Sequence, residues 1–279
     1  MNTLRPANLS RALDLLGGRP ADAPLVPLAG GTDILVHWPI RPEARDREYL
    51  DLQPLHELRG VRWSEETLEL GALASYWDVI MDAQARVEFP LLVEAARQVG
   101  AIQIQSRGTW AGNIVNGSPA ADGVPVLMAY DAAVVLASKS ARREVPLDAF
   151  YTGYRQSVRK DDELVIAIRL PRRQHVLQRF VKVGPRRAQA IAKVGLAVAR
   201  STAGWRVVAA SVAPTVRRCP AVEQLLAEGA LPGTPEDLDA ALRADVSPID
   251  DLRSTAAYRS RVLARVLFDA VRDGAWGLG

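Results

Sequence analysis

The chain has 279 residues and a mass of 30.3 kDa, enough for about two domains with real cores. Hydrophobic residues make up 48% and charged residues 24%, which excludes a disordered polymer. A formal net charge of +3 is too small a surplus to point to nucleic acid.

In chain order, Leu9, Ala12, Leu13, Leu15 and Leu16 recur at helical spacing, with Ser10 placed to cap and Gly17-Gly18 to stop. Pro24 to Leu28 predicts a short strand broken by Gly30-Gly31, and a short apolar element follows over Asp33 to Trp38. Tyr49 to Leu52 and Val61 to Leu73 alternate as strands, with turns at Gly60 and Ser64 to Glu66. Tyr76 to Ala85 and Pro90 to Val99 predict helices, the second ended by Gly100. Ser106 to Asp122, rich in Gly, Asn and Ser, reads as a long loop before the apolar run Val124 to Ala137. Val165 to Leu170 predicts a strand that stops at Pro171. Beyond Arg173 the texture changes. Val176 to Val183, Ala190 to Arg200 and Trp205 to Ala213 predict an antiparallel meander. Helices follow over Ala221 to Ala227, Pro235 to Ala244 and Ala256 to Asp273, the last with Tyr258, Val262, Val266 and Leu267 inward and Gly274 as its stop. The domains are therefore expected over residues 1–173 and 174–279.

Common catalytic signatures are missing: there is no G-x-G-x-x-G, Walker lysine, H-E-x-x-H or G-x-S-x-G. Cys219 is the lone cysteine, and His37, His56 and His175 are scattered, so no disulfide, zinc site or iron–sulfur cluster is expected in this chain. The N-terminus lacks an apolar core behind a basic region, and Asp131 interrupts the longest apolar run. A cytoplasmic protein with no membrane insertion is expected.

What remains is glycine-rich. Leu28-Ala29-Gly30-Gly31-Thr32-Asp33-Ile34 places adjacent glycines after a strand, where positive φ and missing Cβ atoms let a ligand approach the backbone. Successive N–H groups there can form an anion nest suited to a diphosphate; the plain alternative is a turn. Gly108-Thr109-Trp110-Ala111-Gly112-Asn113, running on to Asp122, offers donors for phosphate or ribose, or else a loop with Ser118 and Asp122 as caps. Together the turns suggest an extended ligand. Lys182 is notable in a chain whose other lysines are Lys139, Lys160 and Lys193, although a strand lysine commonly just faces solvent. Trp38, Trp63, Trp77 and Trp205 lack a period and read as packing residues.

The order Ala29-Gly30-Gly31-Thr32-Asp33, then Gly108-Thr109-x-x-Gly112-Asn113-Ile114-x-Asn116-x-Ser118-Pro119-x-x-Asp122, resembles the FAD-binding medium subunit of the molybdenum hydroxylases, the family of carbon monoxide and xanthine dehydrogenases. Lys182-x3-Arg186-Arg187-x3-Ile191-Ala192-Lys193-Val194 and Tyr258-Arg259 are similar to that family's C-terminal part. The resemblance implies an α+β fold: a two-lobed FAD-binding domain (PCMH-like), then a C-terminal domain with a small antiparallel sheet and helices. It implies that Pro27, Leu28, Ala29, Gly30, Gly31, Thr32, Asp33 and Ile34 wrap the FAD diphosphate. Thr109, Trp110, Ala111, Gly112 and Asn113 would form a second wall. Asp122 would bond on the adenosine side, with Val165 and Lys182 touching the cofactor and Lys182 near the isoalloxazine. Partners implied are a large subunit with the molybdenum cofactor and a small subunit with two 2Fe–2S clusters, as a dimer of heterotrimers. NAD+ or another acceptor would take the electrons, and this chain would hold no substrate-directed catalytic residue. Phe150-x2-Gly153 and Ala213-Pro214-Thr215-x2-Arg218-Cys219 are similar to the bacterial xanthine dehydrogenase branch.

Departures from the pattern are Ala111 in place of a usual glycine, which would crowd the cofactor if its φ were positive, and Trp110, which would shield the flavin or meet a partner. Gln189 and Ala190 stand where relatives often carry acidic groups. The rival readings are a stand-alone FAD-dependent oxidase or reductase, against which stands the lack of histidine in either turn, and a scaffold whose FAD loops have decayed.

Overall fold

The computed structural model describes residues 2–20, 22–37, 47–229 and 231–275, so the Trp38 expectation lies outside the described residues. The first lobe is a parallel sheet in which β1 (Asn2–Leu4) and β2 (Val26–Leu28) flank β3 (Glu48–Asp51), with α1 (Leu9–Gly17) joining the outer two. Helix α1 buries Ala12, Leu13 and Leu16. Its cap is Asn8 rather than Ser10: the Asn8 carboxamide oxygen accepts from the Arg11 N–H at 2.9 Å, and Ser10 already lies inside the helix. After β2 the chain makes a short 3-10 turn over Ile34–His37.

The second lobe is an antiparallel sheet in the order β4-β5-β10-β6-β7, made by β4 (Val61–Trp63), β5 (Thr67–Gly71), β6 (Ala133–Ala137), β7 (Arg142–Pro146) and β10 (Leu164–Pro171). The small hairpin β8 (Tyr151–Gly153) and β9 (Gln156–Ser157) precedes β10. Between β5 and β6 lie α2 (Tyr76–Met81), α3 (Ala83–Glu88), α4 (Pro90–Gln98), α5 (Ile102–Gln105), α6 (Trp110–Asn116) and α7 (Gly123–Ala129). The helix expected over Tyr76 to Ala85 is thus two. Asp82 adopts extended backbone at φ −73°, ψ 117°, and its carboxylate caps α3 by accepting from the Ala85 N–H at 2.8 Å. The loop expected over Ser106 to Asp122 contains α6. Gly112, Asn113 and Asn116 are weak helix formers, but the Thr109 cap and the left-handed Gly117 (φ 60°) define its ends.

The C-terminal part is the expected meander: β11 (His175–Val183), β12 (Val194–Ser201), β13 (Gly204–Ala210) and a short β14 (Arg217–Arg218), covered by α8 (Pro220–Ala227), α9 (Asp239–Asp245) and α10 (Ala256–Ala275). Strand β12 starts at Val194 rather than Ala190, and α10 runs through Gly274. Tyr258 is 39% exposed, with the Lys193 ammonium 5.5 Å from its ring, so it does not face inward. Leu267 is fully buried as expected, Val262 and Val266 pack half-buried against the core, and Arg259, Leu263 and Val271 complete the inward face of α10.

Period-two alternation puts this sheet in contact with two cores. Val194, Leu196, Val198, Val207 and Ala209 pack with α8, α9 and α10. The alternate residues Ala197, Ala199, Val208 and Ala210 join the core of the second lobe. Their small size lets α7 lie directly on β12 and β13. Ion pairs complete the seam, since Asp131, at φ 52°, accepts from both Arg173 and Arg206. Among the described residues no helix is long and apolar enough to cross a membrane, and no group of three or more His, Cys, Asp or Glu could hold a metal ion.

Candidate functional site

The first glycine turn leaves β2, where Leu28 pairs with Asp51 and its carbonyl accepts from the Leu52 N–H at 3.0 Å. Pro27 and Leu28 are half-buried on the strand, and the Ala29 carbonyl accepts from Gln53 Nε2 at 3.0 Å. Gly31 has φ 74°, which favours glycine, and its carbonyl accepts from Leu35 to start the 3-10 turn at Ile34. Gly30 is buried, and a Cβ on it would lie 1.7 Å from the Arg107 carbonyl oxygen. No side chain fits there: the backbone of the first turn rests directly on the backbone of the second. Thr32 completes the junction, its Oγ1 lying 3.4 Å from where a Cβ on Gly108 would be. Asp33 is exposed. Among the described residues the N–H groups of Gly30, Gly31, Thr32 and Asp33 have no internal acceptor. Successive unspent donors around a left-handed glycine have the composition of an anion nest.

The second turn is sewn to the start of α2. Ser75 and Thr109 form a bridge, the Tyr76 N–H donates to the Gly108 carbonyl at 3.2 Å, and the Trp110 N–H donates to the Ala74 carbonyl at 3.2 Å. Both bridge residues are helix caps: Ser75 Oγ accepts from Asp78 N–H at 3.1 Å, and Thr109 Oγ1 accepts from Gly112 N–H at 3.0 Å. Trp110 is fully buried, 4.9 Å from the Tyr76 ring, with its own ring 3.1 Å from where a Cβ on Gly123 would lie. It is a core residue and presents no surface to a partner. Ala111 sits within α6, outside the positive-φ residues, and its methyl is buried, so the crowding feared at this position does not arise. Gly112 is exposed. Asn113 Oδ1 and Trp110 Nε1 are buried without a hydrogen-bond partner. An orphaned acceptor such as Asn113 Oδ1 suits a hydroxyl or amide donor rather than a phosphate. It is the run of unpartnered N–H donors from Gly30 to Asp33, beside the left-handed Gly31, that fits a dinucleotide diphosphate.

Asp122 does not cap α7. Its Oδ2 accepts instead from Lys182 Nζ at 2.7 Å, and Nζ also donates to the Gln98 carbonyl at 2.8 Å. The pair is well covered, at 6% exposure for Lys182 and 14% for Asp122. Burial pushes the Asp122 carboxyl up to about 6, against the opposing pull of the Lys182 ammonium. The Tyr76 phenol is held well above its ordinary range by burial and by the nearby Asp122 charge. Asp122 and Lys182 were expected at opposite ends of a cofactor; the ion pair makes them a single locus. Lys182 is accordingly no solvent-facing strand lysine. Val165 is buried in β10 opposite Leu136, at a bulge before Ala167, and α6 packs across that strand.

Sequence reading missed Gln53 and Tyr76, since neither stands in a motif and both act through partners remote in sequence. A separate cavity of about 630 Å³ lies away from the glycine turns, lined by Tyr151, Gly153, Pro214, Thr215 and Arg218 among others. It brings together the two segments that suggested the xanthine dehydrogenase branch.

Comparison with known proteins agrees with this architecture. Residues 1–173 match the family of the FAD binding domain in molybdopterin dehydrogenase, and residues 179–273 match the CO dehydrogenase flavoprotein C-terminal domain. The chain is 30% identical to the carbon monoxide dehydrogenase medium chain of Hydrogenophaga pseudoflava, over 97% of this chain and 95% of the relative. It is 31% identical to the xanthine dehydrogenase FAD-binding subunit of Escherichia coli O157:H7, over 99% and 96% of the two. It superposes on the solved carbon monoxide dehydrogenase of Hydrogenophaga pseudoflava with a TM-score of 0.86, at 30% identity and covering 99% of this chain and 97% of that one. With the joined glycine turns inside a two-lobed α+β fold, these matches establish that the chain belongs to the FAD-binding medium subunits of the molybdenum hydroxylases, oxidoreductase components that carry a flavin.

Proposed function

We propose that this chain is the electron-transfer subunit of a cytoplasmic molybdenum hydroxylase, with a flavin domain over residues 1–173 and a C-terminal domain over 174–279. A large subunit with the molybdenum cofactor hydroxylates the substrate, and a small subunit with two 2Fe–2S clusters delivers electrons. NAD+ removes them, and the assembly is a dimer of heterotrimers. The observation that carries this reading is the backbone contact of Gly30 with Arg107, which joins the two turns and leaves the donors from Gly30 to Asp33 unspent. Bound FAD supplies the ability to accept electrons singly and release them as a hydride.

The chain's own residues hold and tune that group. Pro27 to Ile34 embrace the diphosphate, with the backbone N–H groups of Gly30 to Asp33 as its donors, and Thr109 to Asn113 form the facing wall. Asp122 and Lys182 act together at one point on the cofactor, with Val165 contributing apolar contact from β10. A buried ammonium held by a carboxylate and a carbonyl favours negative charge on any group placed beside it. The segments Phe150 to Gly153 and Ala213 to Cys219, similar to the bacterial xanthine dehydrogenase branch, support placing the complex in that branch.

Native purification of the tagged chain from its host tests the reading. Flavin and iron–sulfur absorbance with one large and one small co-purifying subunit is expected, together with bleaching of the flavin by NADH and by xanthine. Flavin on a solitary chain would overturn the partner assignment. Bleaching by NADH but not by xanthine would overturn the branch alone.

A further inference from the structure

We propose that Gln53, held from behind by Arg59, is a positioning residue that aims the first glycine turn at the diphosphate of the flavin dinucleotide. The inference rests on reading that turn as the diphosphate site. Gln53 follows β3 and spans the gap to the neighbouring strand's exit, where its Nε2 donates to the Ala29 carbonyl at 3.0 Å. Its Oε1 accepts from Arg59 Nη2 at 2.9 Å, and the same guanidinium nitrogen holds the Gln53 main-chain carbonyl at 2.7 Å. The Gln53 N–H in turn donates to Asp51 Oδ1 at 2.9 Å, so the residue is anchored at both ends of its backbone.

This chain of bonds fixes the amide's orientation. Arginine can only donate and a main-chain carbonyl can only accept, so the oxygen must face Arg59 and the nitrogen must face Ala29. Glutamine alone supplies one donor and one acceptor at this length. Glutamate would present a second oxygen to the Ala29 carbonyl, and asparagine is one methylene short. The consequence reaches the ligand through peptide planarity. In a trans peptide the C=O of Ala29 and the N–H of Gly30 point in opposite directions. Holding the carbonyl toward Gln53 therefore turns the Gly30 N–H away from it, and that N–H has no acceptor among the described residues. Gly30 cannot adjust by sliding, because its backbone already abuts the Arg107 carbonyl.

The test uses the full chain stripped of flavin, titrated separately with FAD, ADP and riboflavin, and followed by thermal melting. Gln53→Glu and Gln53→Met are expected to weaken FAD and ADP by about tenfold, the size of one hydrogen bond. Riboflavin affinity should stay unchanged, and the melting temperature of the stripped chain should fall by only the few degrees that one or two lost internal hydrogen bonds cost. Arg59→Ala should cost less, since Gln53 keeps its bond to Ala29. Unaltered FAD and ADP affinity in the Gln53 variants, or equal losses for riboflavin, would overturn the proposal. Gly31→Ala separates the two levels of failure: if it too leaves FAD and ADP affinity intact, the turn itself is not the diphosphate site.

Discussion

At Gly30 and Gly31 the same residue type is required for different reasons, and the difference is measurable. Alanine at Gly31 meets only side-chain carbons, the nearest at 3.4 Å, so its penalty is the left-handed φ of 74°, worth about 1 kcal/mol. Alanine at Gly30 would place a methyl 1.7 Å from a main-chain oxygen, and the two turns would have to part. Denaturant titration should show Gly31→Ala losing about 1 kcal/mol and Gly30→Ala losing several-fold more; equal losses would contradict the backbone contact. Asp122 makes a second residue-scale prediction. Its folded carboxyl titrates near 6, above the ordinary value of 3.8, because burial disfavours the anion. The folded state therefore binds a proton more tightly than the unfolded chain between those values. Asp122's contribution to stability falls as pH rises through that window and is level above it. Melting temperatures of the flavin-free chain should carry this slope, and Asp122→Asn should remove it. At pH 7 the variant should also lose about 3 kcal/mol, because Lys182 is left buried without its counter-charge.

Elements were legible wherever local pattern and tertiary packing agree. The strand β10, the meander and α4 all follow from apolar alternation or helical spacing over a run bounded by Pro or Gly. Helix α6 was illegible because its residues are individually poor helix formers, and its stability comes from the Thr109 cap, Gly117 and burial of Trp110 and Ile114. The glycine turns were readable as motifs, but their contact was not, since it depends on a register between lobes that no local signal encodes. The Asp122–Lys182 pair was hidden likewise: each residue stood out, and only the packing of α7 on β12 and β13 together with that of α4 on β11, which carries Lys182, brings them together. Helices α2 and α6 start side by side because their caps, Ser75 and Thr109, are bridge partners. Ser75→Ala and Thr109→Ala should each cost about 1 kcal/mol. A double-mutant cycle by urea denaturation should show them coupled, with the pair costing less than the sum. Strict additivity would mean that the two helix starts behave independently.

The whole molecule is knit by a sheet with a core on each face. One face of β12 and β13 belongs to the helices α8 to α10, while the other belongs to the lobe that carries Asp122. Opening the C-terminal part must therefore expose Ala197, Ala199, Val208 and Ala210 together with α7 and break the Lys182 ion pair. Cys219 lies on the opposite, helix-covered face, so it reports the deeper opening in which the C-terminal core itself unfolds and the seam is lost with it. It is fully buried in the C-terminal core, and burial pushes its thiol well above the ordinary range, so the native chain should not react with a thiol reagent at pH 8. Labelling then measures opening. If Lys182 and Asp122 hold the flavin dinucleotide from opposite sides of this seam, added FAD stabilises the closed state and must slow labelling of Cys219 in proportion to its saturation. Under conditions where opening and closing outrun the reagent, FAD at a hundred times its dissociation constant should slow labelling about a hundredfold. Labelling that ignores FAD would mean the C-terminal part opens without disturbing the cofactor, and would remove Lys182 from the binding site.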